Sequence, residues 1–428
     1  MPQASPSILF VNRVFPPDHG ATGRCLADLA ERLAVRGWRV GVVADGTGGE
    51  AEAASVGVVL RRTGRAVPSA ERPDARSYLH ALVRLTGAAL RARRTDVVVT
   101  MTDPPLLGRV GPLLAARHGA VSIHWSQDMF PALLPVLGVR LPPPLMGFLE
   151  RSMAGALARH DAVLAVGDCM AARLRAMGVP ADRVGRLPNW ADPRVHPVPH
   201  AENPARAALV GDGRFVVAYS GTLGLAHPMA GILDAADRLR ARDPAIRFAI
   251  IGEGRGCAAL AEAVRARGLS NVGLWPWQPD ERLAGSLSAA DLHLVTLHPA
   301  AAGLMVPSKL ASAQAAGRPT LFLGPTDSEA GRAVAAARCG AVLDPQDGAA
   351  LADAITAYAA DPARCAREGM AAQRAAATWR ADDAAARFDR LARELLARQT
   401  RGRPTGVRSG LVGWRVSVGR GSGRVPDA

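Results

Sequence analysis

The chain has 428 residues, more than one hydrophobic core usually supports, with 49% hydrophobic, 21% charged and only 4% aromatic side chains. Its formal net charge of +14 favours anionic partners such as nucleotides or acidic membrane surfaces. Scarce aromatics and the lack of any reader motif exclude nucleic acid from the expected partners, and the absence of a leader pattern or a long uncharged apolar run predicts a cytoplasmic chain, peripheral at the inner membrane face if it meets a membrane.

In the first half, Ile8 to Val11 reads as a strand. The loop Pro16-Pro17-Asp18-His19-Gly20-Ala21-Thr22-Gly23 follows, then a helix from about Arg24 to Arg36 ending at Gly37. Further strands are expected at Arg39 to Ala44, Asp96 to Met101, Val121 to Trp125 and Ala162 to Val166. Short apolar strands separated by helices predict a parallel sheet covered on both faces. The run Met129 to Leu149 is apolar with five prolines, so it cannot be one helix; it reads as a contact for lipid or as a buried loop between domains. Asp103, in Thr102-Asp103-Pro104-Pro105, reads as turn chemistry.

A structure-poor, Pro-rich stretch, Asn189 to Gly213, reads as a linker. Beyond it the pattern restarts, with strands at Phe215 to Tyr219, Arg247 to Ile251, Asn271 to Leu274, Asp291 to Leu297, Thr320 to Leu323 and Ala341 to Leu343, and Ala-rich helices from about Ala349 to Arg398. The fold class is α/β, two Rossmann-like domains in series. The expected division is 1–190 for the first, 191–213 for the linker, 214–375 for the second and 376–400 for a last helix. The tail 401–428 reads as a disordered extension, either inert or an electrostatic anchor on anionic lipid. The five cysteines are far apart and read as reduced, mostly buried thiols with no metal.

One lysine stands among 52 basic residues: Lys309, in Val306-Pro307-Ser308-Lys309-Leu310. The strand-loop-helix reading puts it at a helix N-terminus, with Pro307 before it and Ser308 as the N-cap. Unpaired amides and the helix dipole would make an anion site there, to which Lys309 adds a charge; together they suit a diphosphate. Gly221-Thr222-Leu223-Gly224 and Gly252-Glu253-Gly254 end the first two strands of the second domain, and glycines there allow the backbone to approach a ligand. Neither loop matches GxGxxG; their common placement at strand carboxyl ends is what points to a ligand. In the first domain, Asp18, His19, Gly20 and Gly23 occupy the equivalent position. His124 and Asp128 could hold a sugar hydroxyl or accept a proton, or serve as a core imidazole and a turn residue. Trp277 and Gln278 lie near the nucleobase or pack structurally.

Six ordered segments carry a resemblance. Phe15-Pro16-Pro17-Asp18-His19-Gly20, Gln127-Asp128-Met129-Phe130-Pro131, Leu187-Pro188-Asn189-Trp190-Ala191-Asp192, Tyr219-Ser220-Gly221-Thr222-Leu223-Gly224, Ile251-Gly252-Glu253-Gly254, and Val306 to Leu310 with Ala315 to Pro319 resemble the motifs of GT-B glycosyltransferases of family 4 that build bacterial colanic acid and O-antigen. The resemblance implies a GT-B fold and transfer of a sugar from a nucleotide-diphosphate donor to a glycan or lipid-linked acceptor, with retention and without metal or cofactor. It places the donor on the second domain at Gly221, Thr222, Gly224, Gly252, Glu253, Gly254, Pro307, Ser308, Lys309 and Leu310. The acceptor falls mainly on the first domain, and the last helix crosses back to it. Asp128 and Lys309 are the expected catalytic residues. Without metal, the leaving diphosphate must be neutralised by helix dipole, loop amides and Lys309.

Two positions depart from the family pattern. Leu225 stands where many members have Arg or Lys, and Ser312 where many have a Glu that holds donor ribose. Arg255 or His227 could compensate. Two further readings therefore stay open: a degenerate GT-B protein that binds a nucleotide or partner without transfer, and a non-hydrolysing nucleotide-sugar epimerase.

Overall fold

The computed structural model describes residues 5–18, 20–47, 50–52, 57–64, 75–210 and 214–402. His19 and the tail from residue 403 lie outside the described residues. The first sheet contains β1 (Ser7–Val11), β2 (Arg39–Ala44), β3 (Glu50–Glu52), β4 (Val58–Arg62), β5 (Val97–Thr100), β6 (Val121–Ser126), β7 (Ala162–Ala165) and β8 (Val184–Arg186). Their order is β3-β4-β2-β1-β5-β6-β7-β8, parallel throughout except for the short edge strand β3. The second sheet contains β9 (Phe215–Ser220), β10 (Ile246–Ile251), β11 (Val272–Trp275), β12 (Leu292–Thr296), β13 (Thr320–Leu323) and β14 (Gly340–Leu343), in the order β11-β10-β9-β12-β13-β14. Two Rossmann-like units of this kind make the GT-B fold. The central strands β1, β5, β6, β7 and β12 are buried along their whole length, which is why they read as apolar runs without alternation.

Each sheet reverses its strand order once, at β1/β5 and at β9/β12. Ligands bind outside the carboxyl ends of parallel strands at such points. The helix Ala21–Val35 covers the first sheet through Leu26, Leu29, Ala30 and Leu33, a spacing of one helical face. It starts three residues earlier than the sequence suggests.

The final helix, Ala381–Gly402, returns to the first unit. Its Phe388 and Ala385 are buried in the cluster that holds Phe10 and Trp38, and the Trp38 indole donates to Asp389 at 2.6 Å. A second cluster is shared by the units: Met129, Leu133 and Met170 pack with Val295, Leu304, Leu310 and Phe322.

The structure corrects two readings. The stretch before β9 is not structureless: a 3-10 turn at His200–Glu202 leads into the helix Pro204–Val210. Asn203 starts that helix by accepting from the Ala205 amide, and its own amide nitrogen donates to the Gly285 carbonyl. Arg206, paired with Asp291 at 2.9 Å, fixes the helix to the second unit. The many prolines mark turns around this helix and do not prevent it, because Pro204 sits at its first position. The cysteines are all free, but only Cys339 is fully buried and the other four are half-buried.

Candidate functional site: a cleft between two sheet edges

The loops after β9, β10 and β12 lie side by side because those strands are neighbours. The Gly221 amide donates to the Ile251 carbonyl at 2.9 Å and the Leu223 amide to the Glu253 carbonyl at 2.9 Å. A Cβ on Gly252 would lie 2.1 Å from the Gly221 carbonyl oxygen, and one on Gly254 would lie 2.2 Å from that of Leu223. Both glycines have φ near +145°, in the region closed to side chains. These glycines therefore allow the two loops to lie against each other. Thr222 and Glu253 remain exposed at the tips.

Lys309 enters from the helix Lys309–Ala315 and runs beneath these loops. A Cβ on Gly221 would stand 2.9 Å from its Cε. Its Nζ donates to the Tyr219 hydroxyl at 2.6 Å and lies 4.5 Å from the centre of that ring. The Tyr219 hydroxyl in turn donates to the Thr222 carbonyl at 2.9 Å. The half-buried ammonium has lost much of its water, and this burial brings it from 10.5 down to about 7. Burial pushes the Tyr219 phenol upward, so it stays protonated. Sequence reasoning gave Tyr219 no role; its only signal is a phenol closing an apolar strand just before a glycine loop.

Ser308 does not cap the helix as expected. It has helical backbone angles and no capping bond from its side chain, because the Leu310 amide already turns back to the Pro307 carbonyl at 3.2 Å. Leu310 is buried in the shared cluster. Pro307, Ser308 and Leu310 line a small second cavity with Asn189 and Glu329.

Facing this edge is the carboxyl edge of the first sheet. Asp128 forms a β-bridge with Met305, and the Met129 amide donates to the Leu304 carbonyl at 2.8 Å. Half-buried Asp128 and buried His124 line a cavity of the first unit. His124 Nδ1 lies 3.1 Å from the Thr100 hydroxyl, and its ring lies 5.5 Å from that of His160. Burial first, then the neighbouring His160, holds His124 well below 6.5, so it is neutral. The ring is thus both a core imidazole and part of the cavity wall.

Asp18 pairs with Arg62 at 2.7 Å, and Arg62 also donates to the Phe15 and Pro16 carbonyls. Gly20 and Gly23 pack on Val14, where a Cβ would come within 2.9 and 2.8 Å. In this structure these three residues serve loop geometry. Trp277 lies under the Arg24 guanidinium, 5.6 Å from its ring centre, and Arg24 also reaches Asp280 at 3.1 Å. The Gln278 side chain donates to the Pro276 carbonyl at 3.0 Å. Arg24 therefore ties the first unit to the expected nucleobase region, a contact that sequence reasoning missed.

At the departures from the family pattern, Leu225 is 58% exposed and its Cδ1 stands 3.1 Å from a Cβ position on Gly138 of the first unit. Ser312 is half-buried on the Lys309 helix. His227 is buried with Nδ1 2.7 Å from the Thr296 carbonyl, under β12, while Arg255 is exposed beside the second glycine loop. Glu329 makes a further contact between the units, accepting from the Asp168 amide at 2.7 Å. Among the described residues no group of three His, Cys, Asp or Glu side chains could hold a metal ion, and no helix is long and apolar enough to cross a membrane.

Comparison with known proteins gives matches in both units. Residues 20–190 match the glycosyl transferase 4-like domain and residues 214–361 match glycosyl transferases group 1. WcaI of Escherichia coli K12, named as a glycosyl transferase of colanic acid biosynthesis, is 32% identical over 228 residues, 51% of this chain and 55% of that protein. WbjE of Pseudomonas aeruginosa, named as a glycosyltransferase, is 29% identical over 279 residues, 64% of this chain and 68% of that one. The chain thus spans about half to two thirds of the length of these relatives. The sucrose-phosphate synthase of Thermosynechococcus elongatus superposes with a TM-score of 0.73 at 20% identity, covering 92% of this chain and 100% of that one. Anabaena HepE, solved with UDP and glucose, gives 0.68 at 17% identity, covering 91% and 99%. WaaG, a glycosyltransferase of lipopolysaccharide biosynthesis, gives 0.68 at 17% identity with the same coverage.

Proposed function

Because its two units match the glycosyl transferase 4-like domain and the group 1 glycosyl transferases, we propose that the chain transfers a sugar from a nucleoside-diphosphate sugar to a glycan or lipid-linked acceptor in cell-surface polysaccharide synthesis. One observation carries the donor assignment. The chain's single lysine is held under two interlocked glycine loops at the switch point of the second sheet.

On this reading the diphosphate lies over Gly221 to Gly224 and Gly252 to Gly254, and Lys309 leaves the Tyr219 oxygen to meet it. A dianionic ligand restores the charge that burial weakens, so donor binding takes up a proton near neutral pH. Lys309 and the loop amides then stabilise the leaving diphosphate without a metal ion, and the sugar is transferred with retention. The acceptor hydroxyl comes from the first unit, where the Asp128 carboxylate accepts its proton and neutral His124 orients it. The enzyme would work in the cytoplasm, at the inner membrane face when its acceptor is lipid-linked.

The departures at Leu225 and Ser312 favour one rival, a degenerate protein that binds without transfer. Both readings meet the same test. A thermal-shift panel of UDP, GDP, ADP and their sugars identifies the donor, since a ligand that binds only the native state raises its stability. Lys309→Ala is expected to slow transfer by about a hundredfold or more with the fold intact. Near-wild-type turnover of this variant removes Lys309 from the mechanism, and binding without transfer or hydrolysis by the wild type establishes the rival.

A further inference from the structure

The carboxylate of Glu329 stands where two helices begin. Glu329 is the first residue of the helix Glu329–Ala337 in the second unit. Its Oε2 accepts the Asp168 amide of the first unit at 2.7 Å, and Asp168 opens the helix Asp168–Ala176. Glu329 is only 8% exposed, and its charged partner, Arg332 at 3.3 Å, is half in solvent. A buried carboxylate is costly unless hydrogen bonds and dipoles hold it, and here it meets the positive ends of both helices. Its own helix does not depend on it for a cap, because the Ser328 hydroxyl already accepts from the Gly331 amide at 3.1 Å. The first unit leaves room for it. A Cβ on Gly167 would lie 2.7 Å from the Glu329 Cδ, and Gly167 has an extended backbone that any residue adopts, so this glycine serves space and not conformation.

The same first-unit helix meets the second unit once more. A Cβ on Gly303 would lie 2.6 Å from the Arg173 Nε. Gly303 belongs to the loop that carries Leu304 and Met305, which bond Met129 and Asp128, and that runs on into Lys309. Glu329 also borders the start of the Lys309 helix, lining a small cavity with Pro307, Ser308 and Leu310. Another charged link between the units, Arg24 with Asp280, has side chains 29% and 39% exposed, and exposed ion pairs contribute little. Of the two links, the buried one is at Glu329.

We propose that Glu329 is a positioning residue: docked on Gly167 and the Asp168 amide, it sets the spacing of the two units, and so the distance between Lys309 on one side of the cleft and Asp128 on the other. This rests on the transferase reading for the roles of Lys309 and Asp128; the docking itself is measured without turnover.

Cys169 reports on this join. It is half-buried, with its sulfur 3.9 Å from the Glu329 carboxylate. Alkylation of the full chain with N-ethylmaleimide, resolved by mass spectrometry, gives its rate, and buried Cys339 is the internal control. Glu329→Ala and Gly167→Ala, made in opposite units, should raise the Cys169 rate severalfold and leave Cys339 unchanged. Gly167→Ala removes no side chain from beside the thiol, so its effect reads the join itself. Both variants should lower transfer at saturating substrates by about tenfold or more, since small misplacements of reacting groups are that costly. In Gly167→Ala, donor hydrolysis by water and the thermal shift with the donor nucleotide, which on this reading draw on the second unit, should stay as in wild type. Ser328→Ala is the structural control. It removes the cap of the same helix and should lower Tm without altering alkylation or the ratio of transfer to hydrolysis. Wild-type alkylation of Cys169 in Gly167→Ala, an unchanged ratio of transfer to hydrolysis, or an equal effect from Ser328→Ala overturns the proposal. If the wild type neither transfers nor hydrolyses any nucleotide sugar, the transferase reading fails, while the alkylation rates still decide whether Glu329 holds the units together.

Discussion

Lys309→Met should make the protein more stable while removing its activity. Lys309 titrates near 7 in the folded chain instead of 10.5. Between those values the unfolded chain binds the extra proton and the folded chain does not. The lysine therefore opposes folding fully below pH 7, and the opposition fades as the pH rises toward 10.5. Taken whole, the shift amounts to about 4 kcal/mol at pH 7 and less than about 1 kcal/mol at pH 10. The side chain is half-buried and keeps the Tyr219 oxygen as an acceptor, so about 2 kcal/mol at pH 7 is the expected gain of the variant. Methionine has similar length and carries no charge, and other titrations cancel between the two proteins. Urea unfolding of both, at pH 7 and at pH 10, measures the difference. A variant no more stable than wild type at pH 7 would refute the argument, as would a gain that persists undiminished at pH 10. The converse result would identify Lys309 as a group kept at the expense of stability for what it binds.

Tyr219→Phe removes the acceptor of the ammonium proton, so Lys309 should titrate about one unit lower still. The alkaline limb of kcat/KM, which reports the free enzyme, should move to lower pH by the same amount, and an unmoved limb would separate Tyr219 from Lys309. Gly252→Ala places a methyl group 2.1 Å from the Gly221 carbonyl at a φ of +149°. It should destabilise the second unit by about 2 kcal/mol or more and weaken donor-nucleotide binding, measured by unfolding and by thermal shift; unaltered nucleotide affinity would show that the interlocked loops do not shape the site.

Much of this fold was legible because parallel strands buried on both faces are apolar without interruption. The runs at β1, β6, β12 and β13 announce themselves in the sequence, and so does the glycine punctuation at 221–224 and 252–254. Three strands escaped notice: β3 is a three-residue Glu-Ala-Glu edge strand, and β4 and β8 carry arginines and are partly exposed, so composition did not mark them. The ordered motifs revealed the family, because their sequence and spacing survive where individual residues vary, as Leu225 and Ser312 do here.

The local pattern alone determined the two units, their chain order and the neighbourhood of Lys309. The contacts that make a site of it were decided by the tertiary structure. Tyr219 meets Lys309 across 90 residues, Gly252 meets Gly221 across neighbouring strands, and Arg24 reaches Trp277 and Asp280 across the cleft. The cavity walls come from separate helices and loops of the first unit, closed by Leu304 of the second. The reason is physical. Periodicity and turn chemistry act between residues close in the chain, whereas burial of a charge and the shape of a cavity depend on side chains that only strand order and packing bring together.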